Sequence, residues 1–286
     1  MLMAVLSWVV SPVKAAYQVQ RPITDTGGQI DQTYLWATYF GTTGPHHGLD
    51  FPYAQGTDTF AVYDGYVAFR VEDIPNDTRP PTRPFGNHVA VRHDLLAWDR
   101  DGQSNSYVFS IQAHLSFNSV IPDPGAFVHV GSHIADVDNT GQSTGNHLHF
   151  QTVLAPTANP SRIEDLYPGD TSRNPELWLA PYDGNTGTVV GKLTDTGGNP
   201  IGNYRVVGLV KPYQTGAGPY QWSETYDNEP WANPDDILVD NWATTDVSPG
   251  TYHLQAYDGG GGYLRDLGWH SVYAGEVTYV DLYPFY

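Results

Sequence analysis

Three short clusters hold residue types that can do chemistry together: His46-His47-Gly48-Leu49-Asp50, Gln112-Ala113-His114-Leu115 and Gly145-Asn146-His147-Leu148-His149-Phe150. Cysteine is absent, so a transition-metal site has to be assembled from the 11 histidines and the 31 aspartates and glutamates. A catalytic zinc takes three protein ligands of imidazole and carboxylate type, and keeps a fourth position for a water whose pKa falls to about 7. Two histidines and one aspartate meet that requirement. On spacing, either His46 or His47 could pair with Asp50, because both lie in a glycine-containing turn.

The elements that must position these groups read as strands. Residues two apart in a strand share a face, so His147 and His149 are expected to project into one cleft while Leu148 and Phe150 turn to the core. Alternating or β-branched runs recur at residues 59–70, 88–93, 107–114, 126–137 and 147–154, and no long helical period accompanies them. The connectors at 75–81 and 139–146 are rich in Pro, Asn, Asp, Thr and Gly, and are expected to be loops flanking a site.

Tyr, Val, Thr, Gly and Pro are plentiful while helix formers are scarce, so the expected class is all-β. At 286 residues the chain has room for two domains. The expected division is a signal peptide at 1–15, a catalytic unit at 16–155, a proline-rich connector at 156–185 packed on it, and a smaller β-sandwich at 186–286. Limited proteolysis is expected to cut within 155–186, where proline and polar residues dominate. Lys and Arg total 13, and the formal charge of −18 argues against nucleic acid or an anionic membrane surface as a partner. The apolar run at 1–10 is too short to span a bilayer, so no integral span is expected in the mature chain.

In order and spacing, residues 34–153 resemble the M23 family of peptidoglycan-directed metallopeptidases, the lysostaphin/LytM kind. The first family motif, His-x-x-x-Asp, is matched by His46 and Asp50, and the last, His-x-His, by His147 and His149. Between them the likeness runs through Phe85-Gly86-Asn87-His88-Val89 and Gln112-Ala113-His114-Leu115-Ser116. The resemblance implies an antiparallel-sheet catalytic domain with Zn2+ held by His46, Asp50 and His149. It implies that His114 and His147 sit either side of the attacking water and the scissile carbonyl, one accepting a proton and the other stabilising the tetrahedral intermediate or the leaving amine. Its implied substrate is a peptide of peptidoglycan, in the stem or cross-bridge, or another peptide, cut outside the cytoplasm or at the cell envelope. Some relatives of this fold have lost ligands and bind cell wall or activate an amidase; the ligand set here is intact. The stretches at 75–84 and 97–105 are longer than usual for the family, which bears on substrate choice rather than chemistry. Residues 191–201 and 249–254 resemble carboxypeptidase-regulatory-like sandwich domains.

For His47, His88, His93, His129, His133, His253 and His270 a structural role is expected, with His93 the one that could also line the cleft. Trp222, Trp231, Trp242 and Trp269 could form a platform for a surface glycan, but burial in a sandwich core is the commoner fate and is the expectation. The segment Ser11-Pro12-Val13-Lys14-Ala15-Ala16 after the apolar run resembles a signal-peptide cleavage region, although no basic stretch precedes it. The mature protein is therefore expected to begin near Ala16 or Tyr17 outside the cytoplasm. Amino-terminal sequencing of secreted material checks this, and intact Met1 recovered from cytosol would refute it.

Overall fold

The computed structural model describes residues 19–23, 30, 34, 46–93, 107–166, 172–181, 184–210, 222–226, 240–258 and 261–282. The leader at 1–15, the extended stretch at 97–105 and Trp231 lie outside these residues. The first unit contains β1 (Leu49–Phe51), β2 (Asp58–Phe60), β3 (Gly65–Val71), β4 (Asn87–Arg92), β5 (Tyr107–Leu115), β6 (Phe127–Val128), β7 (His133–Asp136), β8 (Leu148–Ala155) and β9 (Ser172–Arg173). Seven of them form an antiparallel sheet in the order β1-β8-β5-β4-β3-β6, with β9 also on β8, while β2 and β7 pair separately.

Strands β5 and β8 do not alternate, because both faces of the sheet centre are covered; every residue of β8 is buried. One face packs Leu49, Phe51, Val89, Val91, Leu148 and Phe150 into the main core. The expected inward turn of Leu148 and Phe150 is met. The other face buries Ala90, Phe109, Ile111, Val153 and Ala155 beneath Leu166 of the 3-10 turn Ile163–Leu166. That turn covers part of this face, and His147 and His149 emerge on its remainder. The runs at 59–70 and 126–137 are each broken in two: β2 ends at Phe60 before β3 begins at Gly65, and Gly131, with φ +78°, sits in the turn between β6 and β7.

The second unit contains β10 (Gly187–Leu193), β11 (Tyr204–Val207), β12 (Trp222–Glu224), β13 (Trp242–Val247), β14 (Gly250–Asp258), β15 (Tyr263–Val272) and β16 (Val277–Leu282). They form two sheets, β13-β10-β16 and β12-β11-β14-β15, in which only β10 and β16 run parallel. Val189, Trp242 and Val280 of one sheet meet Val206, Leu254 and Ala256 of the other in a shared core. Core burial holds for Trp242 but not for Trp269, which is 69% exposed on the outward face and stacks flat on His253 directly across the strand pair, at 4.9 Å and 10°.

The connector is more than a tether. Leu177, Trp178 and Leu179 lie in one core with Val19 and Ile23 on one side and Val190, Ala243 and Val277 on the other. Glu176 Oε2 accepts the Thr245 amide at 2.8 Å, and both carboxylate oxygens of Asp246 accept from the buried Arg21 guanidinium. Burial of residues 174–179 shields this half of the expected protease-sensitive stretch and leaves the exposed positions at 156–164. Among the described residues no helix is long and apolar enough to cross a membrane.

Removing one charge of a buried pair leaves the other uncompensated, at a cost of about 3–5 kcal/mol. Asp246→Asn, which retains a residue type that tolerates the φ of +61° found there, is expected to lower stability by about that much in urea denaturation. A change below about 1 kcal/mol would show that solvent, not burial, sets the strength of this link.

Candidate metal centre

The site begins with the pairing of β1 and β8, which sets Asp50 directly across from His149. The approach is close because residue 48 has no side chain: a Cβ on Gly48 would lie 2.3 Å from the Phe150 carbonyl oxygen and 2.9 Å from His149 Nε2. The turn before β1 then carries His46 inward, where its Nε2 lies 3.0 Å from Asp50 Oδ1 and 3.1 Å from His149 Nδ1. His149 Nδ1 lies 2.8 Å from the same carboxylate oxygen. His47 turns the other way, its Nδ1 3.2 Å from Ser172 Oγ, so geometry separates the two candidates that spacing left open.

Two further imidazoles adjoin this triangle. His147 Nε2 is 3.5 Å from Asp50 Oδ2, and its Nδ1 lies 2.8 Å from the Gly145 carbonyl, which makes Nδ1–H the donor and leaves the Nε2 lone pair towards the cleft. His114 Nδ1 donates in the same way to the Thr140 carbonyl at 2.7 Å, and its ring lies 4.6 Å from that of His147 and 5.8 Å from that of His149. His114 holds φ +60°, uncommon for a residue with a Cβ. The strain is held in place on both sides, since its amide donates to the Phe85 carbonyl and its carbonyl accepts from the Asp138 amide.

All five residues picked out in the sequence thus meet in one place. Burial by itself would raise the Asp50 carboxyl, but the positive potential of His46, with hydrogen bonds from His149 and His46, holds it well below the usual carboxylate range. Burial pushes His149 down against the opposing pull of Asp50. Burial, with repulsion from His147 and His149, lowers His114 to about 3. At neutral pH Asp50 is therefore ionised and His149 is held towards its neutral form, the states that metal ligation requires of these two residues.

The loop at 139–146 serves the site through its backbone. Thr140 O orients His114, Thr140 Oγ1 accepts the Asn87 amide at 3.0 Å, and Gly141 N donates to Thr78 O at 3.0 Å, tying this loop to the one at 75–81. Thr140 escaped sequence reasoning because a carbonyl carries no residue signature. The contribution of Gly48 is hinted at only by its place between His46 and Asp50. His93 does not line the cleft; its Nδ1 meets the Asp64 carbonyl and its Nε2 meets Ser110 Oγ at 2.8 Å.

Residues 44–160 match the model of Peptidase family M23. Over 111 residues the chain is 29% identical to the peptidoglycan DD-endopeptidase ShyA of Vibrio cholerae, covering 38% of this chain and 20% of that protein. Over 133 residues it is 33% identical to an uncharacterized metalloprotease of Haemophilus influenzae, covering 46% and 23%. The chain thus spans about a fifth of the length of these curated relatives. Among solved structures it is similar to a zinc containing peptidase from Vibrio cholerae, with 24% identity and a TM-score of 0.36, over 48% of this chain and 37% of that one.

The lowered imidazole values set a sign for acid sensitivity. Between about 3 and the usual 6.5 the unfolded chain binds a proton at residue 114 that the folded chain does not, so stability rises with pH across that window and is lost as pH falls. In chelator-treated protein, His114→Gln is expected to flatten the plot of urea stability against pH between 4 and 6 by about 1.4 kcal/mol per pH unit. An unchanged slope would mean that folded His114 takes up protons as freely as the unfolded chain.

Proposed function

Residues 44–160 are a peptidase family M23 domain, and on that premise we propose that the chain is a secreted or envelope-associated zinc endopeptidase acting on peptidoglycan stem peptides or cross-bridges. The observation that carries this reading is the convergence of His46 Nε2, Asp50 Oδ1 and His149 Nδ1, with every pair of these atoms within 4.8 Å. Two imidazoles and one carboxylate are the donor types of catalytic zinc sites, and the ionised Asp50 fits a dication. Bound there, zinc supplies a Lewis acid that polarises a carbonyl and makes water acidic near neutral pH.

The chain's own residues then divide the work. His46, Asp50 and His149 hold the metal. His147, at the cleft edge with its Nε2 lone pair free of the Gly145 contact, takes the proton of the attacking water. His114, whose Nδ1–H is committed to the Thr140 carbonyl, likewise presents a bare Nε2, so it donates to the developing oxyanion only after taking up a proton, which the charge of that oxyanion favours against the cost of burial. The loops at 75–81 and 139–146, tied together at Thr78 and Gly141, form the rim that a peptide must pass. Peptidoglycan as substrate is supported by the relative described as a peptidoglycan DD-endopeptidase. A surface glycan as partner of the carboxy-terminal unit is supported by the exposed ring of Trp269, held against His253, whose Nε2 is 2.7 Å from Asp266 Oδ1.

Alanine variants distinguish holding from assisting. His46→Ala, Asp50→Ala and His149→Ala are expected to lose zinc on mild dialysis, and activity with it. His114→Ala and His147→Ala are expected to retain about one zinc per chain while turnover of muropeptides or oligoglycine falls by about 10²–10⁴. Elemental analysis beside product mass spectrometry makes the measurement. Zinc lost from His147→Ala and kept by His149→Ala would reverse the assignment, and wild-type cleavage by all five would end the peptidase reading.

A further inference from the structure

The strand register extends the metal centre into a longer row. Asp50 lies across from His149, His149 across from Ala113, and Ala113 across from His88. Residues directly opposite in antiparallel pairs share a sheet face, and neighbouring strands are about 4.8 Å apart, so His88 faces the same side roughly 10 Å from His149. Only the methyl group of Ala113 stands between them in the row. Phe85 bridges the two sites above it, its ring centroid 6.0 Å from that of His149 and 5.9 Å from that of His88.

His88 is 5% exposed, and its Nδ1 lies 2.8 Å from the Gly86 carbonyl. Nδ1–H is therefore the donor and Nε2 carries a lone pair. That Nε2 is buried without a hydrogen-bond partner among the described residues, a costly state that asks for an explanation. Burial lowers the imidazole pKa, which keeps the ring neutral and Nε2 an acceptor. The His88 ring helps to line a cavity of about 300 Å³, with Arg83, Phe85, Arg162, Ile163 and Glu164, while Nε2 itself is closed off. The guanidinium groups there are already matched, Arg83 by Asp73 at 2.6 Å and Arg162 by Asp165 at 3.2 Å. The unmet demand is for a donor.

We infer that this cavity is a substrate subsite for a side chain ending in a hydrogen-bond donor, an ammonium or a primary amide, which meets His88 Nε2 once a small turn of the ring brings that atom to the cavity wall. The inference rests on the peptidase reading for the identity of the chain that brings the side chain in. An extended peptide advances about 3.4 Å per residue, so the subsite lies about three residues, or one long side chain and a residue, from the bond being cut. His88 here is a binding residue; the bond-breaking groups are those of the metal centre.

The test uses full-length zinc-loaded protein and acetylated oligoglycine peptides carrying lysine, glutamine or norleucine at successive positions from the centre. Affinity is read in the His147→Ala protein, and the imidazole ¹⁵N resonance of His88 Nε2 is followed during each titration. At the preferred position, lysine or glutamine is expected to bind about tenfold more tightly than norleucine and to move that resonance. His88→Leu is expected to erase the difference, and His88→Gln, whose Oε1 can accept, to restore part of it. Equal affinity for the three peptides, no binding of any, or an unmoved resonance overturns the subsite. Preferential binding by peptides that wild-type protein never cuts would remove the peptidase reading and leave the subsite standing, whereas cleavage blind to the side-chain tip would do the reverse.

Discussion

The register of β1 against β8 is the constraint on which the rest of the site depends. Leu49 and Phe51 are fully buried in the main core, and Asp50 between them points to the other face, across from His149. A slip of one residue would turn Asp50 into the core and a leucine or phenylalanine into the cleft. Burying each of those two apolar side chains is worth about 1.5–3 kcal/mol, so the hydrophobic pattern holds the charged residue in place. Gly48 completes the arrangement by letting the backbone lie against Phe150.

Around that pairing the protein concentrates groups that disfavour one another. His46, His114, His147 and His149 share a small volume with the single carboxylate Asp50. Three of these five are buried, and His114 also carries an uncommon backbone conformation. Such a cluster is stable only where the surroundings over-determine it. Here the Phe85 and Thr140 carbonyls and the Asp138 amide fix His114, and the Gly145 carbonyl orients His147. The loop at 139–146 is thus a fixed part of the site, and the same contacts keep the Nε2 atoms of His114 and His147 turned from the backbone.

The two β units are joined by packing as well as by chain. Trp178 and its neighbours complete a core to which both contribute, and Arg21, from the amino-terminal stretch, closes on Asp246 of β13. The aromatic ring of Trp269 is presented on the outward sheet of the second unit, which leaves the inward faces free for the sandwich core.

Much of the site was legible in the residues alone, because the facing of alternate residues along a strand follows from local backbone geometry. His147 and His149 share a cleft face, with Leu148 and Phe150 in the core, as their spacing requires. The β class was likewise readable from composition and from short alternating runs, although β13, buried along its whole length, gave no alternation to read. Spacing could not choose between His46 and His47, since both could reach Asp50; the choice fell to Ser172, more than a hundred residues on, which engages His47. Nor could it separate the buried Trp242 from the exposed Trp269, or lift His88 above a structural histidine. The place of His88 in line with Asp50 and His149 comes from the mutual register of β1, β8, β5 and β4, of which only β4 and β5 are consecutive in the chain. Register is set by the summed packing of whole sheet faces, a quantity that no local pattern of residues contains.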